Sequence, residues 1–170
     1  MKTLYLVRHA KSSWREIGLA DIDRPLKESG VLDAIKIGNW LADRDIMPEL
    51  IFASNANRAL HTATIFARSL KLPLDKLKIR KELYGTTKES ILHFTANFEN
   101  SFSSLMFVAH DPTLTNLVNH YLEKPDLYKI PTSSVVELKF ETDSWLDIKT
   151  KKPYSVSQII PKTLLTINLK

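Results

Sequence analysis

The chain of 170 residues contains no cysteine. That excludes a disulfide scaffold, a thiolate-ligated zinc site, an iron–sulfur cluster and every mechanism with a thiolate nucleophile. Glycine is scarce too, present only as Gly18, Gly30, Gly38 and Gly85. Neither G-x-x-x-x-G-K-[ST] nor G-x-G-x-x-G can be written with those four, so the glycine-rich phosphate cradles of nucleotide-binding folds are absent. No apolar run approaches the roughly 18 residues of a membrane span. The apolar stretch 4–7 is also too short for the core of a signal peptide. A cytoplasmic protein with no membrane partner is expected. The charge excess is modest, 24 Lys and Arg against 19 Asp and Glu, or +5 with neutral histidines. Such a balance suits an anionic partner. The basic residues are scattered and do not interleave with aromatics, so no nucleic-acid partner is expected. No linker, repeat or low-complexity segment interrupts the chain, and one domain over residues 1–170 is expected.

What is present is a repeated alternation of short apolar runs and amphipathic stretches. Residues 4–7, 50–53 and 105–109 are continuous apolar runs, the mark of strands covered on both faces. Residues 77–83 form a weaker third strand in sequence order. Helical spacing appears over 27–44 (Val31, Ala34, Ile35, Gly38, Leu41), 58–70 (Ala59, Thr62, Ala63, Phe66) and 88–98. After Pro112, suited to a first helical turn, Leu114, Leu117, Val118 and Tyr121 predict a further helix. Residues 134–140 and 154–160 read as strands, and 10–26 as a loop. The pattern predicts an α/β fold around a mostly parallel sheet, with ligand chemistry at the carboxyl ends of the strands.

Residues with chemical capacity fall at those ends. Arg8 and His9 follow the first strand, Ser54 and Arg58 the second, Glu82, Tyr84 and Gly85 the third, and His110 and Asp111 the fourth. Two arginines supply planar forks for phosphate oxygens. With one imidazolium they make a cationic pocket, and the second imidazole is a nitrogen nucleophile able to take a phosphoryl group and release it to water. No metal and no cofactor is called for. His9, His61, His93, His110 and His120 have neither H-x-H nor H-E-x-x-H spacing. The pairs Asp21/Asp23 and Asp43/Asp45 resemble the paired aspartates of haloacid-dehalogenase-type phosphatases, but neither follows an apolar strand.

These residues resemble a known family. Val7-Arg8-His9-Ala10-Lys11-Ser12, Asp23-Arg24-Pro25-Leu26 with Gly30 and Ala34, Ser54–Arg58 with Thr62-Ala63, and Val108–Pro112 occur in the order typical of the histidine phosphatase superfamily, the phosphoglycerate-mutase-like enzymes. They are most similar to its small SixA branch of phosphohistidine phosphatases. The resemblance covers about residues 1–140. It implies a three-layer α/β/α sandwich without a large lid insertion. It also implies His9 as the nucleophile that forms a phosphohistidine intermediate, with Arg8, Arg58 and His110 binding the phosphoryl oxygens. Ser12, Arg24 and Arg15 are the candidate substrate-binding residues: Ser12 matches the signature serine, Arg24 is a candidate phosphate or phosphoprotein contact, and Arg15 stands where mutase-type members carry Asn. Ala10 replaces the signature Gly, and Asp111 replaces a frequent Asn. Gly85 takes the place after Leu-Tyr where an acidic residue is usual, leaving Glu82 as the candidate general acid.

The implied activity is a metal-independent phosphatase acting on phosphohistidine in a protein. The alternatives are a phosphomonoesterase for a small phosphate ester and a non-catalytic phospho-ligand module.

Overall fold

A computed structural model describes residues 1–15 and 18–169. Seven strands form one sheet in the order β3-β2-β4-β1-β5-β6-β7. They are β1 (Lys2–Arg8), β2 (Leu50–Ser54), β3 (Leu77–Arg80), β4 (Ser104–Ala109), β5 (Val135–Phe140), β6 (Ser155–Ile159) and β7 (Thr166–Asn168). The helices are α1 (Glu28–Ala42), α2 (Asn57–Ser69), α3 (Lys88–Ala96) and α4 (Thr113–Tyr121).

The two-residue period of a strand sorts the core into two halves. Tyr5 and Val7 of β1, with Ile51, Ala53, Met106 and Val108, pack on Ile37 and Leu41 of α1 and Ala63, Phe66 and Ala67 of α2. Leu4 and Leu6, with Phe52, Leu105 and Phe107, face Ile91 of α3, Leu114, Leu117 and Tyr121 of α4, and Trp145. The result is the expected three-layer α/β/α sandwich, whose central strands read as apolar runs because both faces are covered.

Strands β3, β2, β4 and β1 pair parallel, whereas β5, β6 and β7 add on antiparallel. The parallel part thus holds the site, and the antiparallel part completes the sheet beyond β1. Most element ends shift by one or two residues from the sequence reading, and two differences are larger. The third strand stops at Arg80, and Lys81–Leu83 is a 3-10 turn. Strand β7 is short and exposed, so it has no apolar run to announce it.

The loop after β1 is tied to the start of α1. Ser12 bridges to Leu26, and Lys27 donates its amide to the Lys11 carbonyl at 2.9 Å. A Cβ on Gly30 would lie 2.3 Å from that carbonyl oxygen, so only glycine permits the approach. Among the described residues no helix is long and apolar enough to cross a membrane.

Candidate active site

Adjacent strand ends bring the site together. The β1 end presents Arg8 and His9, the β4 end His110 and Asp111, and the β2 end Ser54, three residues before Asn57 opens α2 with Arg58 in its first turn. The His9 amide donates to the Ala109 carbonyl at 3.1 Å, which carries the β1–β4 pairing into the site. The His9 and His110 ring centroids are 5.0 Å apart. Both rings line a cavity of about 530 Å³ with Arg8, Ser12, Arg24 and Arg58.

The hydrogen bonds of His9 define its reactive atom. Its Nδ1 lies 2.8 Å from the Ala10 carbonyl oxygen, which only accepts, so Nδ1 carries the proton. The Nε2 lone pair is thereby left for an electrophile. Burial lowers the His9 pKa to about 3; the Ala10 carbonyl opposes that shift, and His110, Arg58 and Arg8 reinforce it. His110 is pushed down to about 4, first by burial and then by Arg58, with Asp21 opposing. The pocket therefore holds two neutral imidazoles near neutral pH, and its positive charge comes from arginine. This corrects the expectation of an imidazolium beside the nucleophile. His110 Nε2 is 2.9 Å from the Ser54 hydroxyl, and its Nδ1 is buried without a partner.

The two arginines are held alike. Arg8 donates from Nη1 to the Ile130 carbonyl at 2.6 Å, and the same nitrogen lies 3.5 Å from the Asp111 carboxylate. Arg58 donates from Nη1 to the Asp21 carbonyl and from Nη2 to Asp21 Oδ2 at 2.8 Å. In both, Nε is buried and without a partner. Buried N–H groups are almost always satisfied. Two guanidinium groups held in place and lining one cavity with both imidazoles make a pocket suited to an anion.

The other candidates divide. Ser12 and Arg24 are in the cavity wall, but Arg24 is committed to local structure. It donates to the Ser13 carbonyl at 2.8 Å, Asp21 Oδ1 at 2.9 Å and the Ser12 hydroxyl at 2.7 Å, and its guanidinium stacks 3.2 Å over Trp14. Arg15 is exposed and lines a separate depression beside Pro25 and Glu28. It is not part of the pocket, because the Ser12–Leu26 bridge closes the loop ahead of it. Glu82 also lies elsewhere. It lines an apolar cavity of about 320 Å³ with Phe94 and Phe107, and the 3-10 turn Lys81–Leu83 redirects the chain before Tyr84 returns to the site.

Sequence reasoning missed Asp21. Its carboxylate accepts from Arg24, Arg58 and the Tyr84 hydroxyl. Burial works to raise its pKa, but those three donors hold it well below the usual carboxylate range. The sequence offered one signal: an acid three residues ahead of Arg24 in an otherwise irregular loop. Only the fold brings Arg58 and Tyr84 to it.

A nitrogen nucleophile with a free lone pair, flanked by fixed guanidinium groups at the edge of a parallel sheet, is the equipment of a phosphoryl-transfer enzyme. The comparisons agree. The model of the histidine phosphatase superfamily (branch 1) matches residues 4–88. A structure assigned to the phosphohistidine phosphatase SixA of Agrobacterium tumefaciens is 30% identical, with a TM-score of 0.74 over 81% of this chain and 90% of that one. An uncharacterized chloroplastic protein of Arabidopsis thaliana is 43% identical over 61 residues, 36% of this chain and 28% of its own length. An uncharacterized protein of Mycobacterium tuberculosis is 26% identical over 152 residues, 84% of this chain and 92% of its own. The chain thus spans little more than a quarter of the Arabidopsis protein but nearly all of the mycobacterial one. It belongs to the histidine phosphatase superfamily, whose phosphatases work through a histidine nucleophile.

Proposed function

We propose that the protein removes the phosphoryl group from phosphohistidine in another protein, through a covalent intermediate on His9. His9 Nε2 attacks phosphorus; the new P–N bond forms as the bond to the substrate's imidazole nitrogen breaks, and that ring leaves as neutral imidazole because its other nitrogen already carries a proton taken from solvent. The phosphoryl oxygens take hydrogen bonds from Arg8, Arg58 and His110. Water then attacks the phosphorus on His9, freeing the imidazole and releasing phosphate. Guanidinium donors already in position cost no reorganisation when the transition state forms.

One observation carries the preference for a P–N bond. Among the described residues no acid at the site is free to protonate a leaving group. Gly85 has no side chain and sits in the left-handed region at φ +67°. Glu82 lines another cavity, Asp21 is held ionised by its three donors, and Asp111 faces Arg8. An alkoxide leaving group has a conjugate-acid pKa comparable to water, roughly 15–16, and needs a proton as it departs. A phosphohistidine ring can take its proton from solvent on the nitrogen away from phosphorus, since imidazole protonates with a pKa of about 6.5, and then leaves as neutral imidazole without an acid from the enzyme. The similarity to a protein assigned as SixA supports the same substrate class.

The experiment compares a phosphohistidine-bearing protein with an alkyl phosphate monoester, each with wild type and His9→Ala, without added metal. Faster loss from the P–N substrate, abolished in the variant, is the expected result. Preference for the ester would replace this reading with a small-molecule phosphomonoesterase. Phosphate binding without turnover of either compound would leave a phospho-ligand module.

A further inference from the structure

We propose that Asp21 is a positioning residue of this site: it grips Arg58 so that the guanidinium is held at the phosphoryl pocket. The proposal rests on the phosphatase reading above.

The grip has two points. Arg58 Nη1 donates to the Asp21 main-chain carbonyl and Nη2 to its carboxylate. A carbonyl in the backbone cannot swing aside as a side chain can, so this is a fixed mount. The arginine's side chain is only 7% exposed, so a guanidinium held at both Nη atoms and lining the cavity has little room to move. Arg8 repeats the pattern with other residues. Its Nη1 is taken by the Ile130 carbonyl and faces Asp111. Two arginines that arrive from different elements thus each have the guanidinium held by a main-chain carbonyl with a carboxylate nearby, Arg8 through Nη1 and Arg58 through both Nη atoms.

Asp21 is itself anchored from both sides. Its Oδ1 takes Arg24, whose remaining bonds fold the loop after β1, and its Oδ2 takes the Tyr84 hydroxyl beyond β3. The carboxylate therefore references the α2 arginine to two other elements. Fixing a long guanidinium side chain before the substrate arrives removes an ordering cost from binding. It also fixes geometry, and displacement of a catalytic contact by about 1 Å can cost ~100-fold in rate. The competing idea is that Asp21 merely occupies the anion site and is displaced by substrate. The two make opposite predictions.

The test uses full-length protein and four variants: Asp21→Ala, Asp21→Asn, Arg58→Ala and the double variant Asp21→Ala/Arg58→Ala. Turnover of the phosphohistidine substrate is measured as kcat and KM, and inorganic phosphate binding by calorimetry. The expected result is a fall in kcat of ~10–100-fold for Asp21→Ala, with weakened phosphate binding. Asp21→Asn, which keeps an acceptor oxygen for Arg58, should recover part of both. In the double variant, loss of Asp21 should add nothing to loss of Arg58. Tighter or unchanged phosphate binding in Asp21→Ala would overturn the proposal, as would losses that multiply in the double variant. Asp21→Asn keeps the test readable if the alanine variant folds poorly. If wild type binds phosphate but turns over no substrate, the phosphatase reading fails while calorimetry still decides the role of Asp21.

Discussion

Two neutral, half-buried histidines side by side should make the fold acid-sensitive at a pH well above that of carboxylate titration. The folded pKa values are about 3 for His9 and about 4 for His110, both lowered chiefly by burial. The unfolded value is about 6.5. Below that value the unfolded chain binds protons that the native site refuses, so stability is full above pH 6.5 and declines as pH falls toward the folded values. Between pH 7 and pH 5 each histidine should cost about 2 kcal/mol, and the two about 4 kcal/mol together. That is a large share of the roughly 5–15 kcal/mol typical of a domain. The assay is urea denaturation at pH 7, 6 and 5 on wild type, His9→Asn and His110→Asn, since asparagine does not titrate. Each variant should lose about half of the wild-type pH dependence. Wild-type stability that is flat from pH 7 to pH 5, or variants whose curves run parallel to wild type, would refute the assignment of both rings as neutral.

Three further outcomes follow from the geometry. Arg58→Ala should reduce kcat/KM by ~100–1000-fold, since one preorganised donor is worth about 3–4 kcal/mol; near-wild-type steady-state rates would remove Arg58 from the reaction. Gly30→Ala places a methyl 2.3 Å from the Lys11 carbonyl; it should lower the thermal midpoint and also slow turnover, because the displaced loop carries Ser12 and Ser13, which hold Arg24. Glu82→Gln should leave turnover of an alkyl phosphate within about twofold of wild type, and a drop of the size produced by losing a general acid, ~100-fold or more, would return Glu82 to the site.

The legible part of the molecule was the part governed by local rules. Apolar runs at 4–7, 50–53 and 105–109 betrayed strands because both faces of those strands are covered. Arg8, His9, Arg58 and His110 were readable because a parallel sheet puts all its strand ends on one edge. What escaped depended on contacts between distant segments. Glu82 lies two residues from Tyr84, yet a single 3-10 turn sends Glu82 to an apolar cavity and Tyr84 to Asp21 and His110. Asp21 gains its partners 37 and 63 positions away, a distance that no periodicity encodes. The charge state of His110 followed from burial, which depends on the packed whole rather than on its neighbours in sequence.

The place of β1 between β4 and β5 has a consequence for how the protein comes to exist. The strand that ends in Arg8 is made first, yet its ladder partners begin at Ser104 and Val135. During synthesis at roughly 5–20 residues per second, β1 waits on the order of 5–20 s for β4 to be made. Throughout that interval an apolar strand with both edges open has no native neighbour, the condition in which chains pair wrongly with one another. Contacts so distant in sequence also slow the search for the native state. The catalytic edge is therefore among the last features to form, and a nascent chain stalled before residue 104 carries the histidine but not the pocket that neutralises it.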